Sequence, residues 1–280
     1  IDRFAKMWGA IANEFKDFNN IWGYDLQNEP KVSAQVLVEA YQAAIDEIRK
    51  VDTRAQIIVE GTNWASAYEW LYGDRADKKY PEYSTEVAWS YKENSPWLLA
   101  NLKDPENKIV FQAHGYFDKD NSGTYQKGYS DIDYRKRFLP FLEWCRTNGA
   151  KGLIGEFGVP YTEHATGDPR YMETLDGALK LFREYGMNAT YWCAGAMYEG
   201  NSLTCQPDKS ALYGNYAKEK STMKVLEKYF TDWADQSGIE NVSVSAPAVN
   251  DGRTYNLMGI EVDENYVGIV IRDGKKFIQK

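Results

Sequence analysis

Two short stretches carry residues that can do chemistry together. One is Gly23-Tyr24-Asp25-Leu26-Gln27-Asn28-Glu29-Pro30; the other is Lys151-Gly152-Leu153-Ile154-Gly155-Glu156-Phe157-Gly158. In each, a short apolar run delivers a carboxylate, and a turn marked by Gly or Pro follows. That is the pattern of a buried strand with a reactive group at its C-terminal end. Two carboxylates on different strand ends can flank one glycosidic bond, one protonated as an acid and one ionised. A separation of about 5–5.5 Å retains configuration through a covalent intermediate, and about 6.5–9.5 Å inverts it. A single strand-end glutamate more often caps or pairs; the second one, with aromatic residues at matching strand ends, turns the reading toward catalysis. Glu60, just before Gly61, is the competing carboxylate, and no motif surrounds it.

The elements that must position such a pair need a large core. The chain has 280 residues, 43% hydrophobic and 26% charged, ordinary for a globular protein of single-barrel length. A net charge of −8 argues against nucleic acid, which needs a basic face. No apolar run approaches the roughly 18 residues of a membrane helix. Cys145, Cys193 and Cys205 give an odd count and no metal spacing; a Cys193–Cys205 bridge is possible, but a buried thiol on a strand is the better reading. Aromatic residues make up 15%, with 9 Trp and 21 Tyr. This fits a large aromatic core or a cleft in which flat rings stack on sugars, and composition does not separate the two.

Apolar spacing predicts helices over residues 3–16, 33–51 (capped by Ser33), 132–147, 169–185 and 217–230, with a shorter one over 67–71. Pro140 interrupts the third of these, so a separate turn or kink is expected there, and Asn148-Gly149 ends it. Asp168-Pro169 reads as a cap followed by Pro at the first helical position. Strands are predicted over 20–29, 56–60, 108–113, 151–156 and 188–193. Residues 73–96 are polar and without period. The acidic loop 118–123 lacks the closing Glu of a calcium loop, since Tyr129 stands there. Strand and helix alternate five times, which means a parallel sheet covered by helices. No G-x-G-x-x-G follows any strand, so a (β/α)₈ TIM barrel is preferred to a doubly wound sheet. After residue 235 the chain turns to short strand-like runs with Asp-Gly turns, a small β appendage over 236–280.

The motifs resemble one family closely. Asp25-Leu26-Gln27-Asn28-Glu29-Pro30 resembles the Asn-Glu-Pro signature of the retaining endoglucanases of glycoside hydrolase family 5, and Gly155-Glu156-Phe157-Gly158 resembles that family's seventh-strand motif. The resemblance implies that Glu29 is the acid/base at the end of the fourth strand, that Asn28 contacts the sugar 2-hydroxyl, and that Glu156 is the nucleophile. His114-Gly115-Tyr116-Phe117 resembles the sixth-strand motif, which implies that His114 lines the subsite and Tyr116 steadies the nucleophile. Residues 118–125 resemble the Asp-x-Asp-x-Ser-Gly-Thr loop of cellulases. Trp192 matches the Trp below the reacting sugar, and Gly61-Thr62-Asn63-Trp64 resembles the loop after strand five. Read as residues alone, His114 beside Tyr116 favours the site over a satisfied core histidine. Trp192 at a strand end favours the cleft over the core, Trp64 stays open between the two, and His164 reads as solvated surface.

The resemblance covers roughly residues 3–232 and implies an incomplete barrel, with strands 4–8 present and no counterpart of the first three βα units. Such a sheet exposes two edges, an association hazard. A C-terminal piece of a longer enzyme is therefore expected, poorly stable and weakly active by itself. Residues 255–259 and 268–277 resemble the C-terminal segments of secreted polysaccharide-degrading bacterial proteins, which implies secretion or cell-surface attachment through secretion machinery; a capping hairpin without an export role is the alternative. The implied reaction is double-displacement hydrolysis of β-1,4-glucan. The same chemistry on mannan, xyloglucan or mixed-linkage glucan, or a non-catalytic glycan-binding barrel, are the alternatives. A polysaccharide or oligosaccharide is the expected partner, and neither a cofactor nor a metal is expected.

Overall fold

Helix α1 spans Asp2–Phe15, and the first strand, β1, is Gly23–Asp25. The chain continues through α2 (Ala34–Arg49), β2 (Gln56–Glu60), β3 (Ile109–His114), α3 (Tyr134–Asn148), β4 (Gly152–Phe157), α4 (Arg170–Glu184), β5 (Asn188–Tyr191) and α5 (Ser221–Gln236). Strands β6 (Thr254–Asn256), β7 (Gly268–Arg272) and β8 (Lys275–Gln279) follow. The computed structural model describes residues 1–32, 34–70, 101–207, 219–236, 253–256, 262–263, 268–272 and 275–279. The Ser33 cap, the polar stretch 73–96 and the strand-like run 242–244 lie outside the described residues.

Strands β1 to β5 form one parallel sheet in chain order, and β6 to β8 a separate antiparallel one. The chain divides into two compact units, Ile1–Phe230 and Thr231–Lys280. Within the first, strand residues of β2, β3 and the start of β4 alternate between two environments. Ile57, Val59, Phe111, Ala113 and Ile154 join the helices in the main core, whereas Ile58, Val110 and Leu153 form a small apolar cluster of their own. This period of two places the second group, with Glu60, Gln112 and His114, on the face away from the helices.

Strand β4 breaks the alternation. Ala113 and His114 of β3 pair with Ile154 and Glu156, while Ile154 and Phe157 pair with Ala189 and Tyr191 of β5. One extra residue therefore lies in β4 against both neighbours, a β-bulge at Gly155-Glu156. It leaves Phe157 among the core aromatics, 5.2 Å from the Phe182 ring, and turns Glu156 to the face that carries His114.

Several local expectations shift. Only Gly23–Asp25 of the expected 20–29 is strand. Helix α3 runs unbroken through the buried Pro140, capped by the Asp133 side chain at one end and by Gly149 at φ 60° at the other. Core packing of Phe138, Phe141 and Trp144 outweighs the one backbone bond a proline removes. Pro169 stands one place earlier than expected, before the first helical residue, while Asp168 accepts the Arg170 amide at 2.9 Å. Residues 67–70 form turns instead of a helix. Cys145, Cys193 and Cys205 are free, buried thiols.

The C-terminus of α2 is fixed to the entry of β3 by one buried ion pair. Arg49 grips Asp104 bidentately at 2.7 and 2.9 Å and donates to the carbonyls of Asp52 and Ala55; its side chain is 4% exposed and that of Asp104 1%. Breaking a buried pair strands a charge. Arg49→Met should therefore destabilise the fold by about 3–5 kcal/mol in chemical unfolding, and Arg49→Lys, which loses the fork but keeps the charge, by less.

Candidate active site

Glu29 follows the C-terminal end of β1, His114 ends β3, and Glu156 lies near the end of β4, so the parallel sheet gathers all three at one end. His114 Nδ1 is 2.9 Å from Glu29 Oε1 and 3.7 Å from Glu156 Oε2. One ligand atom from each of the three lies within 4.8 Å of the others. Tyr116, in the loop after β3, donates its hydroxyl to Glu156 Oε2 at 2.5 Å. On its other side, His114 Nε2 is 3.2 Å from Glu60 Oε1.

Behind this group lies a polar shell to which the sequence expectations gave no role. Glu60 is fully buried; its Oε2 accepts the Glu29 amide at 2.6 Å, and its Oε1 accepts from Gln112 Nε2. The same Gln112 amide donates to Asp25 Oδ2 at 2.8 Å. Gln112 fits because Gly155 faces it: a Cβ at Gly155 would overlap the Gln112 side chain. The sequence signal for this shell was modest. Glu60 and Gln112 are polar interruptions of apolar strands, at positions two apart on the face of Ile58 and Val110.

The backbone is strained where it serves the site. Glu29 has φ 46°, and Asn63, Trp64 and Ala65 have φ 60°, 56° and 53°. Non-glycine residues in this region each cost of order 1–3 kcal/mol and persist only where their surroundings fix them. Here the surroundings are the His114 backbone: its amide donates to the Ala65 carbonyl at 2.7 Å, and its carbonyl accepts from the Ala67 amide at 2.8 Å. The left-handed turn is thus the clamp that holds the histidine. The loop after β3 is braced as well. The Asp118 carboxylate accepts the amides of Gly123, Thr124 and Tyr125, and Tyr125 donates its hydroxyl to the Gly158 carbonyl at 2.5 Å.

The flanking residues are placed as follows. Trp192 directly follows β5, donates its amide to the Phe157 carbonyl at 2.9 Å and meets the Tyr198 ring at 4.8 Å; its carbonyl crowds Gly158. That puts it beside the Glu156 strand end. Asn28 is exposed next to Glu29. Trp64 is 48% exposed, bonded through its amide to the Pro30 carbonyl and covered by Lys31 Nζ at 4.0 Å. Glu29, His114, Tyr116 and Glu156 therefore meet directly, while Trp192 follows the strand next to Glu156, Asn28 precedes Glu29 and Trp64 is tied to Pro30. His164 is half-buried and engages Thr166 in its own loop. A cavity of about 520 Å³ lined by Trp22, Gln56, Arg146 and Met187 opens near the other end of the strands, the end that serves stability in barrels.

Electrostatics follow from this crowding. Burial opposes a charge on His114, but hydrogen bonds to Glu29 and Glu60, with the charges of Glu60 and Glu156, raise its pKa from 6.5 to about 10. Carboxylates facing both ring nitrogens favour the imidazolium, which can donate from each. Burial raises Glu156 above the usual carboxylate range, opposed by the His114 charge and the Tyr116 hydroxyl. Burial and the Glu156 charge keep Tyr116 a phenol and so a donor. Burial and the Glu60 charge raise Asp25 to about 6.

A family model for cellulases, glycosyl hydrolase family 5, matches residues 1–197. The chain belongs to glycosyl hydrolase family 5. It is 30% identical over 212 residues to Endo-beta-1,4-glucanase B of Emericella nidulans, covering 75% of this chain and 57% of that protein. It is 34% identical over 217 residues to Endoglucanase gh5-1 of Neurospora crassa, covering 77% and 49%. Pseudomonas stutzeri endoglucanase Cel5A, solved with cellobiose, superposes with TM-score 0.64 at 29% identity over 81% of this chain and 60% of that one. The chain thus spans about half to three fifths of the length of these relatives. Its five-stranded parallel sheet is an incomplete (β/α)₈ barrel of this family.

Two outcomes test this arrangement. A methyl group at Gly155→Ala has no room beside Gln112 and should cost about 1–3 kcal/mol of stability in chemical unfolding. The raised His114 pKa makes its charge a stabilising contribution that is complete below about pH 6.5 and disappears as pH rises through about 10. Unfolding free energy measured across that window should fall, and fall less steeply in His114→Asn.

Proposed function

We propose that this chain carries the catalytic glutamates of a retaining endo-β-1,4-glucanase. The observation that carries the reading is the approach of a Glu29 and a Glu156 carboxylate oxygen to within 4.8 Å of one another, short of the wider spacing that an inverting pair needs. A gap that short belongs to double displacement. Its relatives are named endo-β-1,4-glucanase and endoglucanase, and one of them was solved in complex with cellobiose.

In this reading Glu156 attacks the anomeric carbon. Its lone pairs are oriented by the Tyr116 hydroxyl, and its charge is favoured by the His114 imidazolium. Glu29 gives a proton to the departing glycosidic oxygen, then takes one from the water that releases the glycosyl-enzyme. Asn28 is adjacent to Glu29 and free to meet the 2-hydroxyl of the reacting sugar. Trp192 supplies a ring for that sugar to stack on, and Trp64 a second platform on the Glu29 side. His114 lines the subsite between the two carboxylates. The five βα units are read as the fourth to eighth of the barrel, residues 1–235. The antiparallel unit that follows, over 236–280, is read as a sorting or attachment segment of a secreted or surface-bound bacterial enzyme. Among the described residues no helix is long and apolar enough to cross a membrane.

Glu156→Gln should abolish turnover of soluble β-1,4-glucan while leaving cello-oligosaccharide binding intact by calorimetry. Wild-type turnover in that variant would mean the nucleophile is another residue. Glu29→Gln should lower kcat about 10²–10⁴-fold on glucan, and far less on aryl glycosides whose leaving group needs no proton. The product anomer read by NMR immediately after cleavage should keep the β configuration.

A further inference from the structure

Glu60 is the group the reaction scheme leaves unused. It is fully buried, so it meets no substrate and is not a second catalytic acid. A buried carboxylate is retained only where charged or multiple donors satisfy it. Elsewhere in this fold such a group staples elements together, as Asp104 does with Arg49. The donors of Glu60 are different in kind. They are the Glu29 backbone amide at 2.6 Å, His114 Nε2 at 3.2 Å and the Gln112 amide, all parts of the site or its backing.

We propose that Glu60 is the positioning residue of this site. One of its oxygens takes the Glu29 amide proton and the other the His114 Nε2 proton, and together they fix the Glu29 carboxyl against His114 Nδ1. The proposal rests on the reading of Glu29 as acid/base given above. Two further observations support it. Glu29 has φ 46° and precedes Pro30, a conformation that needs outside support, and its amide is held by Glu60. His114 has one ring nitrogen toward Glu60 and the other toward Glu29, so only the doubly protonated ring satisfies both, with Nε2–H donating to Glu60 and Nδ1–H to Glu29. Among the described residues the titratable groups facing His114 are Glu29 from the loop after β1, Glu60 from β2 and Glu156 from β4, with Tyr116 reached through Glu156 and Asp25 through Gln112.

The chain has only two histidines, so their side chains can be followed separately by NMR of histidine-labelled protein, with His164→Gln giving the assignment. In the wild type at pH 8, His114 should carry protons on both ring nitrogens; a neutral tautomer there overturns the proposal whether or not any variant folds. In Glu60→Gln the His114 midpoint should fall by about 1–3 units, and kcat on β-1,4-glucan should drop about 10²-fold with KM nearly unchanged. Glu60→Asp, which keeps the carboxylate, should restore most of the midpoint. An unchanged midpoint in Glu60→Gln overturns the proposal, whatever happens to kcat. A protein that turns over no glucan at all would refute the proposed activity, while the His114 titration still decides the place of Glu60.

Discussion

The site depends on one buried cation. Three carboxylates, Glu29, Glu60 and Glu156, converge within 4 Å of the two His114 nitrogens. In a low-dielectric interior such groups repel one another and would be driven to take up protons. An imidazolium among them changes the balance, because it offers a full charge and two directed N–H donors in a flat ring that fits between them. The fold around it can be understood as the means of holding that ring: strand β3 delivers it, and the left-handed turn after β2 clamps its backbone on both sides. Tyr116 fixes the one carboxylate that His114 approaches only to 3.7 Å.

Two faces of one sheet divide the work. The helix-covered face is packed with Ile57, Val59, Phe111, Ile154 and Phe157 against aromatic helix residues such as Phe138 and Phe182. The face that carries the site is polar toward the C-terminal strand ends and has few side chains of bulk. Gly155 leaves room for Gln112, and Gly158 leaves room for the Trp192 backbone. The residues in the left-handed region that bear on the site, Glu29 and Asn63 to Ala65, are on the loops that follow β1 and β2. Strain is concentrated where geometry has to be fixed, and apolar packing on the other face offsets it.

Much of this was legible in the chain itself. Short continuous apolar runs, closed by polar or aromatic residues and separated by helical spacing, marked the five strands. Glu29, His114, Tyr116 and Glu156 stood out because each follows or ends such a run. Glu60 was visible only as a competitor without a role, and Gln112 was not singled out. A residue on the inner face acquires its meaning from what the register sets opposite it, and here that is Glu29, Asp25 and the empty space at Gly155. Pro140 misled for a related reason: local preference favours a break, and the buried aromatic contacts that override it come from other elements.

The sequence by itself determined the order of strands and helices, the family, and the two strand ends that carry glutamates, since all three are local patterns of residue type. Tertiary structure alone decided that one extra residue in β4 turns Glu156 toward His114, that Glu60 is sealed from solvent, and that carboxylates on both sides favour the charged form of His114. The physical reason is that register, burial and proton affinity are sums over neighbours far apart in the chain, here residues 25, 29, 60, 112, 114, 116 and 156, and no window of sequence contains them together.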